Sequence, residues 1–244
     1  MEESLSDPAA LPAPGATLLL PAVTVGNVGQ LAIDLLVQST VGSRRIGSLQ
    51  SATVVPVTGG CAFSSADGAL HGPARELELY VVDGKLVLQQ RAPALPGCQR
   101  RFARELADWI ESKGIEKVIV IGSIESGSLV AAGLEPAPPL SMRTWPPECA
   151  TPDAPELPDA WFEGRPAESR VAPPWPLMTE LLDRDLDAVA LLAPAADGNN
   201  LPEAHAAASA LADAAGIPLP TGGAWRAPPS WRGLFGVRRD GIMY

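Results

Sequence analysis

Residues 17–42, TLLLPAVTVGNVGQLAIDLLVQSTVG, decide the fold. Thr17 to Val25 is a near-continuous apolar run rich in Leu and Val, the pattern of a strand covered on both faces of a parallel or mixed sheet. It stops at Gly26-Asn27. From Gly29 onward, Leu31, Ile33, Leu35, Leu36 and Val37 are so densely apolar that the helix they form, ending near Gly42, is predicted to be largely buried. Strand, glycine-containing turn and buried helix make the opening half of a βαβ unit.

The same alternation of elements recurs downstream. Glu76 to Val82 alternates around Leu77, Leu79 and Val81, Asp83-Gly84 supplies a type I′ turn that needs positive φ, and Lys85 to Gln89 returns, so a β-hairpin is predicted. Between Pro96 and Gly114, Phe102, Leu106, Trp109 and Ile110 share one helical face while Arg and Glu residues hold the other, with Gly114 placed to end the helix. Lys117 to Ile121 (KVIVI) then reads as a central strand. Leu177 to about Arg184 forms a helix, Ala188 to Leu192 (AVALL) a buried strand, and an Ala-rich helix runs to Ala215 with Gly216 as its stop. Asn200 and Glu203 stand in capping-box spacing at its start. The predicted class is α/β: three layers, doubly wound, with a mostly parallel sheet, a β-hairpin and a Pro-rich insertion.

The domain organisation follows from composition. Residues 1–15, rich in Ala, Pro and Ser, are expected to be a disordered lead-in; 16–220 form a single α/β domain; 221–244 form an extended C-terminal tail. Residues 133–176 hold 12 of the 26 prolines, which remove backbone donors and block helix, so this stretch is an insertion or long loop rather than a second core. Trp161 and Phe162 are expected to pin part of it to the body.

The net charge of −10 repels a phosphate backbone, which argues against nucleic acid as a partner. From Thr221 on, Arg226, Arg232, Arg238 and Arg239 stand against Asp240 alone, a sum of +3 that leaves −13 on the other 220 residues. A basic tail on an acidic body suits docking onto an acidic protein surface. Three cysteines without paired spacing (Cys61, Cys98, Cys149) point to reduced thiols in cytosol or nucleus. The acidic N-terminus lacks the order of a signal peptide, and the longest apolar run, Ala16 to Val25, is about half of the roughly 20 residues a membrane-spanning helix needs.

Candidate chemistry is thin. Gly26-Asn27-Val28-Gly29 lies where a doubly wound fold binds phosphate, but it lacks the third glycine of the dinucleotide motif and the Lys and hydroxyl of a P-loop. Ser123 and Ser126, after the KVIVI strand, lack the glycine frame of a nucleophile elbow. His71 and His205 stand in a Gly-rich loop and an Ala-rich helix, and no Cys/His cluster offers a metal site. No catalytic residue, cofactor or metal is therefore expected; the chain reads as a scaffold that binds something.

Three stretches carry a family resemblance. Leu18 to Leu36, LLLPAVTVGNVGQLAIDLL, resembles the opening signature of the proteasome assembly chaperone 2 family. Ala196 to Ala204, ADGNNLPEA, is similar to its Gly/Asp/Asn-then-Pro helix start, and Ser230 to Gly236, SWRGLFG, to its C-terminal Ser-Trp-Arg segment. The resemblance implies a three-layer fold, a heterodimer with proteasome assembly chaperone 1, and binding of that pair to the outer face of nascent α-subunit rings, without catalysis. It also implies a C-terminal tail that enters pockets between α-subunits through a hydrophobic residue, a tyrosine and one final residue. Here Ile242-Met243-Tyr244 sets the aromatic one place later than that motif. The partner-binding residues expected in the tail are Trp231, Phe235, Ile242, Met243 and Tyr244. Two rival readings share the fold: a regulator of mature proteasomes, and a nucleoside-hydrolase-like enzyme, which would need Asp or His lining a pocket near Gly26 or Ser123. Half of a heterodimer is further expected to leave an uncovered apolar patch.

Overall fold

The computed structural model describes residues 1–131, 143–149, 156–157, 173–220, 222 and 224–232. Among these residues ten strands and five α-helices follow one another as β1 (Glu2–Leu5), β2 (Ala16–Pro21), α1 (Val28–Ser39), β3 (Arg44–Gln50), β4 (Thr58–Gly59), β5 (Ala74–Arg75), β6 (Leu77–Val82), β7 (Lys85–Gln90), α2 (Gln99–Ser112), β8 (Ile115–Glu125), α3 (Ser126–Ala131), β9 (Arg143–Trp145), α4 (Trp175–Leu182), β10 (Asp187–Ala195) and α5 (Leu201–Ala215). Eight strands form one sheet in the order β1-β3-β6-β7-β2-β8-β10-β9. Its centre, β7-β2-β8-β10, is parallel, and the pairs on either side are antiparallel.

Side-chain alternation along the central strands sorts the core into two halves. Leu18, Leu20, Val118, Val120, Ala190 and Leu192 pack with Phe102, Leu106, Trp109 and Ile110 of α2 and with Met178 and Leu181 of α4. Leu19, Ile119, Ile121, Val189, Leu191 and Ala193 point the opposite way, onto α1 and the Ala-rich face of α5. The result is the three-layer α/β architecture expected from the run at 17–42. All of α1 except Gln30 is buried, as its apolar density requires.

The hairpin forms at Asp83-Gly84, with φ of 48° and 74°, in the register Val82↔Lys85. Gly216 ends α5 in the left-handed conformation, its N–H bonded to the carbonyls of Ala212 and Asp213. The capping box does not form. Asn200 turns its amide inward, donating to the carbonyls of Ala196 at 2.7 Å and Gly198 at 3.1 Å, and the free Leu201 N–H is taken by Asn199 Oδ1 at 3.1 Å.

The lead-in also departs from expectation. Glu2–Leu5 forms an edge strand paired with β3, Glu2 opposite Gln50. Glu3 fixes it to the end of α2, accepting from the Trp109 indole N–H and pairing with Lys113 Nζ at 2.6 Å. An edge strand whose side chains lie mostly in solvent carries no hydrophobic period, so composition alone could not reveal it. Within the Pro-rich region, Arg143–Trp145 adds an edge strand antiparallel to β10, and Trp145 meets Trp175 of α4 edge to face with centroids 5.7 Å apart. Trp161 and Phe162 lie outside the described residues.

The turn after β3 is tied to α2 by one carboxylate. Ser51 Oγ and Thr53 Oγ1 donate to Glu105 Oε2 at 2.7 and 3.1 Å, and Arg101 Nε donates to Oε1 at 3.0 Å. Burial works against this charge, but the bonds from Ser51, Arg101 and Thr53 outweigh it and hold the carboxyl below its ordinary 4.5. A group with a depressed folded-state pKa stabilises the fold above its unfolded value and loses that contribution as pH falls through the folded one. Glu105→Gln is accordingly expected to cost about 1 kcal/mol at neutral pH. In urea melts the gap to the wild type should close on acidification below 4.5; a gap independent of pH would refute the assignment.

Candidate functional site

At the carboxyl ends of β2, β8 and β10, the place where a doubly wound sheet offers a ligand crevice, the chain bonds to itself. Thr24 Oγ1 accepts from the Ser123 backbone N–H at 2.9 Å and meets Ser123 Oγ at 2.8 Å, while Ser123 Oγ donates to the Val25 carbonyl at 2.5 Å. Ser123 is buried. Gly26, at φ 67°, leaves the space that Asn200 fills: a Cβ there would lie 2.3 Å from Asn200 Nδ2. Gly29 performs the close helix–sheet approach that the dinucleotide motif gives to its third glycine, since a Cβ on it would stand 2.2 Å from the Ile121 carbonyl oxygen.

The groups bonded around Gly26 and Ser123 are thus hydroxyls, backbone carbonyls and an amide. The small cavity beside β2, on the α2 and α4 side, is lined by apolar and amide residues such as Val23, Phe102, Leu177 and Gln90, with neither Asp nor His. His71 and His205 are exposed. Among the described residues no group of three or more His, Cys, Asp or Glu side chains could hold a metal ion, and no helix is long and apolar enough to cross a membrane.

Charge is concentrated instead beneath the face carrying α1. Asp34, on α1, accepts at Oδ1 from Gln89 Nε2 at 2.6 Å and from Arg91 Nη2 at 3.1 Å. Arg91 also donates through Nε to Glu78, and its guanidinium lies 5.3 Å from the ring centroid of Phe63. Arg45 Nε pairs with the other oxygen of Glu78 at 3.5 Å, and Tyr80 Oη donates to that oxygen at 3.0 Å. Burial opposes the charge on Arg91, yet Asp34 and Glu78 outweigh it and push its pKa further up. Burial, then the neighbouring Glu78, push the Tyr80 phenol up as well, so it stays a donor. Two cations and two carboxylates balance within this cluster. Asp34 sat in the sequence as one acidic residue in an apolar helix, which is the signal that could have marked it.

The described part of the tail is held on this chain by bonds that no local pattern marks. Trp231, expected to touch a partner, lies half-buried on this chain: its indole N–H donates to Asp34 Oδ2 at 3.1 Å. Trp225 Nε1 donates to Ser209 Oγ of α5 at 3.0 Å. Arg226 donates its backbone N–H to Ser39 Oγ at 2.8 Å and its Nη2 to the carbonyls of Gln38 and Ser39 at 3.0 and 3.2 Å, at the end of α1. Residues 225–231 therefore cross the α1/α5 face as a strap instead of extending away from it. Phe235, Ile242, Met243 and Tyr244 lie outside the described residues. The large exposed hydrophobics among the described residues are Val41, Val57, Val130 and Leu219, from four separate parts of the chain rather than one contiguous stretch.

Comparison with known proteins places this geometry. The profile of the PAC2 family matches residues 18–224. A proteasome assembly chaperone 2 of Danio rerio is 31% identical over 242 residues, covering 91% of this chain and 92% of that protein. One from Nematostella vectensis is 37% identical over 133 residues, 53% of this chain and 54% of that one. Among solved structures, Pyrococcus furiosus PbaA, an archaeal homolog of proteasome-assembly chaperone, superposes with a TM-score of 0.65 at 16% identity over 89% of this chain and 88% of its own, a likeness of fold.

Proposed function

This chain belongs to the PAC2 family, and from that premise we propose that it is a proteasome assembly chaperone subunit, one that pairs with proteasome assembly chaperone 1 and promotes assembly of the 20S proteasome α-ring. The observation that carries the proposal is the match along 91% of the chain to a protein named as such a chaperone. The self-bonded turn at Thr24, Ser123 and Asn200 agrees with it, because polar groups that bond to one another leave the outer surfaces as the working part. In this reading the chain works without a cofactor, in the cytosol or nucleus, and nascent α-subunits are its clients. The C-terminal residues Phe235, Ile242, Met243 and Tyr244 supply apolar contacts on an otherwise basic segment, which an acidic ring surface would attract.

The test is affinity capture of the full chain from growing cells, followed by mass spectrometry. Precursor α-subunits and the sister chaperone are expected in near-equal amounts, without mature β-subunits. Recovery of complete particles would replace the assembly role with regulation of finished proteasomes, and recovery of neither would overturn the proposal.

A further inference from the structure

The strap formed by residues 225–231 touches the body at four separated points: Ser209 on α5, the last carbonyls of α1, Asp34 in the middle of α1, and the loop before β5, where the Ser230 N–H meets the Ala62 carbonyl at 3.4 Å. The contact at the end of α1 has a general physical basis. The last carbonyls of a helix lack intrahelical partners and carry partial negative charge, so a guanidinium placed there is held by both hydrogen bonds and the helix dipole. Trp225 and Trp231 add apolar area against the core half that contains α1 and α5.

We propose that this strap is a clasp that fixes where the C-terminal segment leaves the body, with Asp34 and Arg226 as its positioning residues. The inference rests on the chaperone reading, in which that segment engages α-subunits. Anchoring matters because the effective concentration of a tethered binding segment falls as its tether lengthens, roughly as the −3/2 power of length. With the clasp closed the segment leaves the body after Trp231; with it open the tether lengthens back toward the end of α5.

The clasp is built to open without dismantling the fold. Asp34 keeps Gln89 and Arg91 as donors when Trp231 departs, and the charge balance with Glu78, Arg91 and Arg45 does not involve the strap. Arg226 is exposed, so its replacement leaves no buried cavity. A strap held for packing alone would not need its three bonds to the end of α1.

Two readouts on the full chain test this, with variants Trp231→Phe, Trp231→Ala and Arg226→Gln. Hydrogen exchange reports the clasp through the Arg226 and Ser230 amides, with β8 amides as the reference for global folding. Retention of α-subunit precursors in affinity capture reports the consequence. The expected result is exchange at Arg226 and Ser230 rising at least about tenfold in Arg226→Gln and Trp231→Ala and less in Trp231→Phe, which keeps the ring. Exchange in β8 should be unchanged, and retention should fall several-fold. If Trp231→Ala also loosens β8, Arg226→Gln alone decides. Wild-type strap amides that exchange freely, or a strap that opens with retention unchanged, would overturn the clasp while the chaperone assignment stands. A wild type that retains no precursor would instead remove the chaperone assignment, and the amide exchange would then show a strap with no positioning role.

Discussion

Arg91→Ala is expected to lower the unfolding free energy by about 3–5 kcal/mol, the range found when one partner of a buried ion pair is removed. The side chains of Glu78 and Asp34 are only 1% and 7% exposed, whereas that of Arg91 is 19% exposed. The cost therefore lies less in the lost attraction than in two carboxylates left in a dry site. Asp34 would retain Gln89 and Trp231 as donors, and Glu78 would retain Tyr80 and Arg45. Arg45 still pairs with Glu78, but Asp34 loses the cation that it pairs with. The loss of the guanidinium over Phe63 adds a smaller amount, about 0.5–1 kcal/mol or more where the pair is desolvated. The double variant Arg91→Ala with Asp34→Asn should recover part of the loss, because it deletes the carboxylate left without a cation. Guanidinium chloride unfolding of the three proteins measures this; a loss below about 1 kcal/mol in the single variant would mean that water screens the cluster as it does a surface pair.

Gly29→Ala is expected to cost about 3 kcal/mol, at the upper end for overpacking. The added Cβ would meet the Ile121 carbonyl oxygen at 2.2 Å, its carbon at 3.0 Å and the Ala22 carbonyl oxygen at 3.2 Å, all backbone atoms that cannot rotate aside. The Ile121 oxygen already accepts the Ala22 N–H at 2.8 Å, so it cannot retreat without stretching the link between β2 and β8. Helix α1 would have to lift, and with it the underside of the strap. Gly127→Ala is the control. That glycine is exposed within α3 with nothing near its missing Cβ, so the replacement should be neutral or stabilise by up to about 1 kcal/mol through helix propensity. Equal effects at the two positions would show that propensity, not the approach of α1 to β8, sets the cost at Gly29.

The two positions illustrate different degrees of legibility. Gly29 was visible as one of two glycines at a strand-to-helix turn, although its partner atom was not, because Ile121 lies on a strand 92 positions later. Arg91 carried no local mark at all. It follows the hairpin as an ordinary charged residue; the β6–β7 pairing sets Glu78 beside it, and only the folding of α1 over β6 and β7 brings Asp34 to it.

The amino-acid sequence by itself determined the layers: which segments are strands or helices and which faces are apolar, as in the run at 17–42, the Asp83-Gly84 hairpin and the amphipathic α2. These follow from periodicity and turn chemistry, which act between residues close in the chain. Only the tertiary structure decided the edge strand at Glu2–Leu5, the inward turn of Asn200 and the return of Trp225, Arg226 and Trp231 across α1. The edge strand and the returning tail depend on polar bonds between residues distant in sequence, and Asn200, bonded locally to Ala196 and Gly198, turns into the space that distant Gly26 leaves; such arrangements carry no period and exist only once packing has brought the parts together.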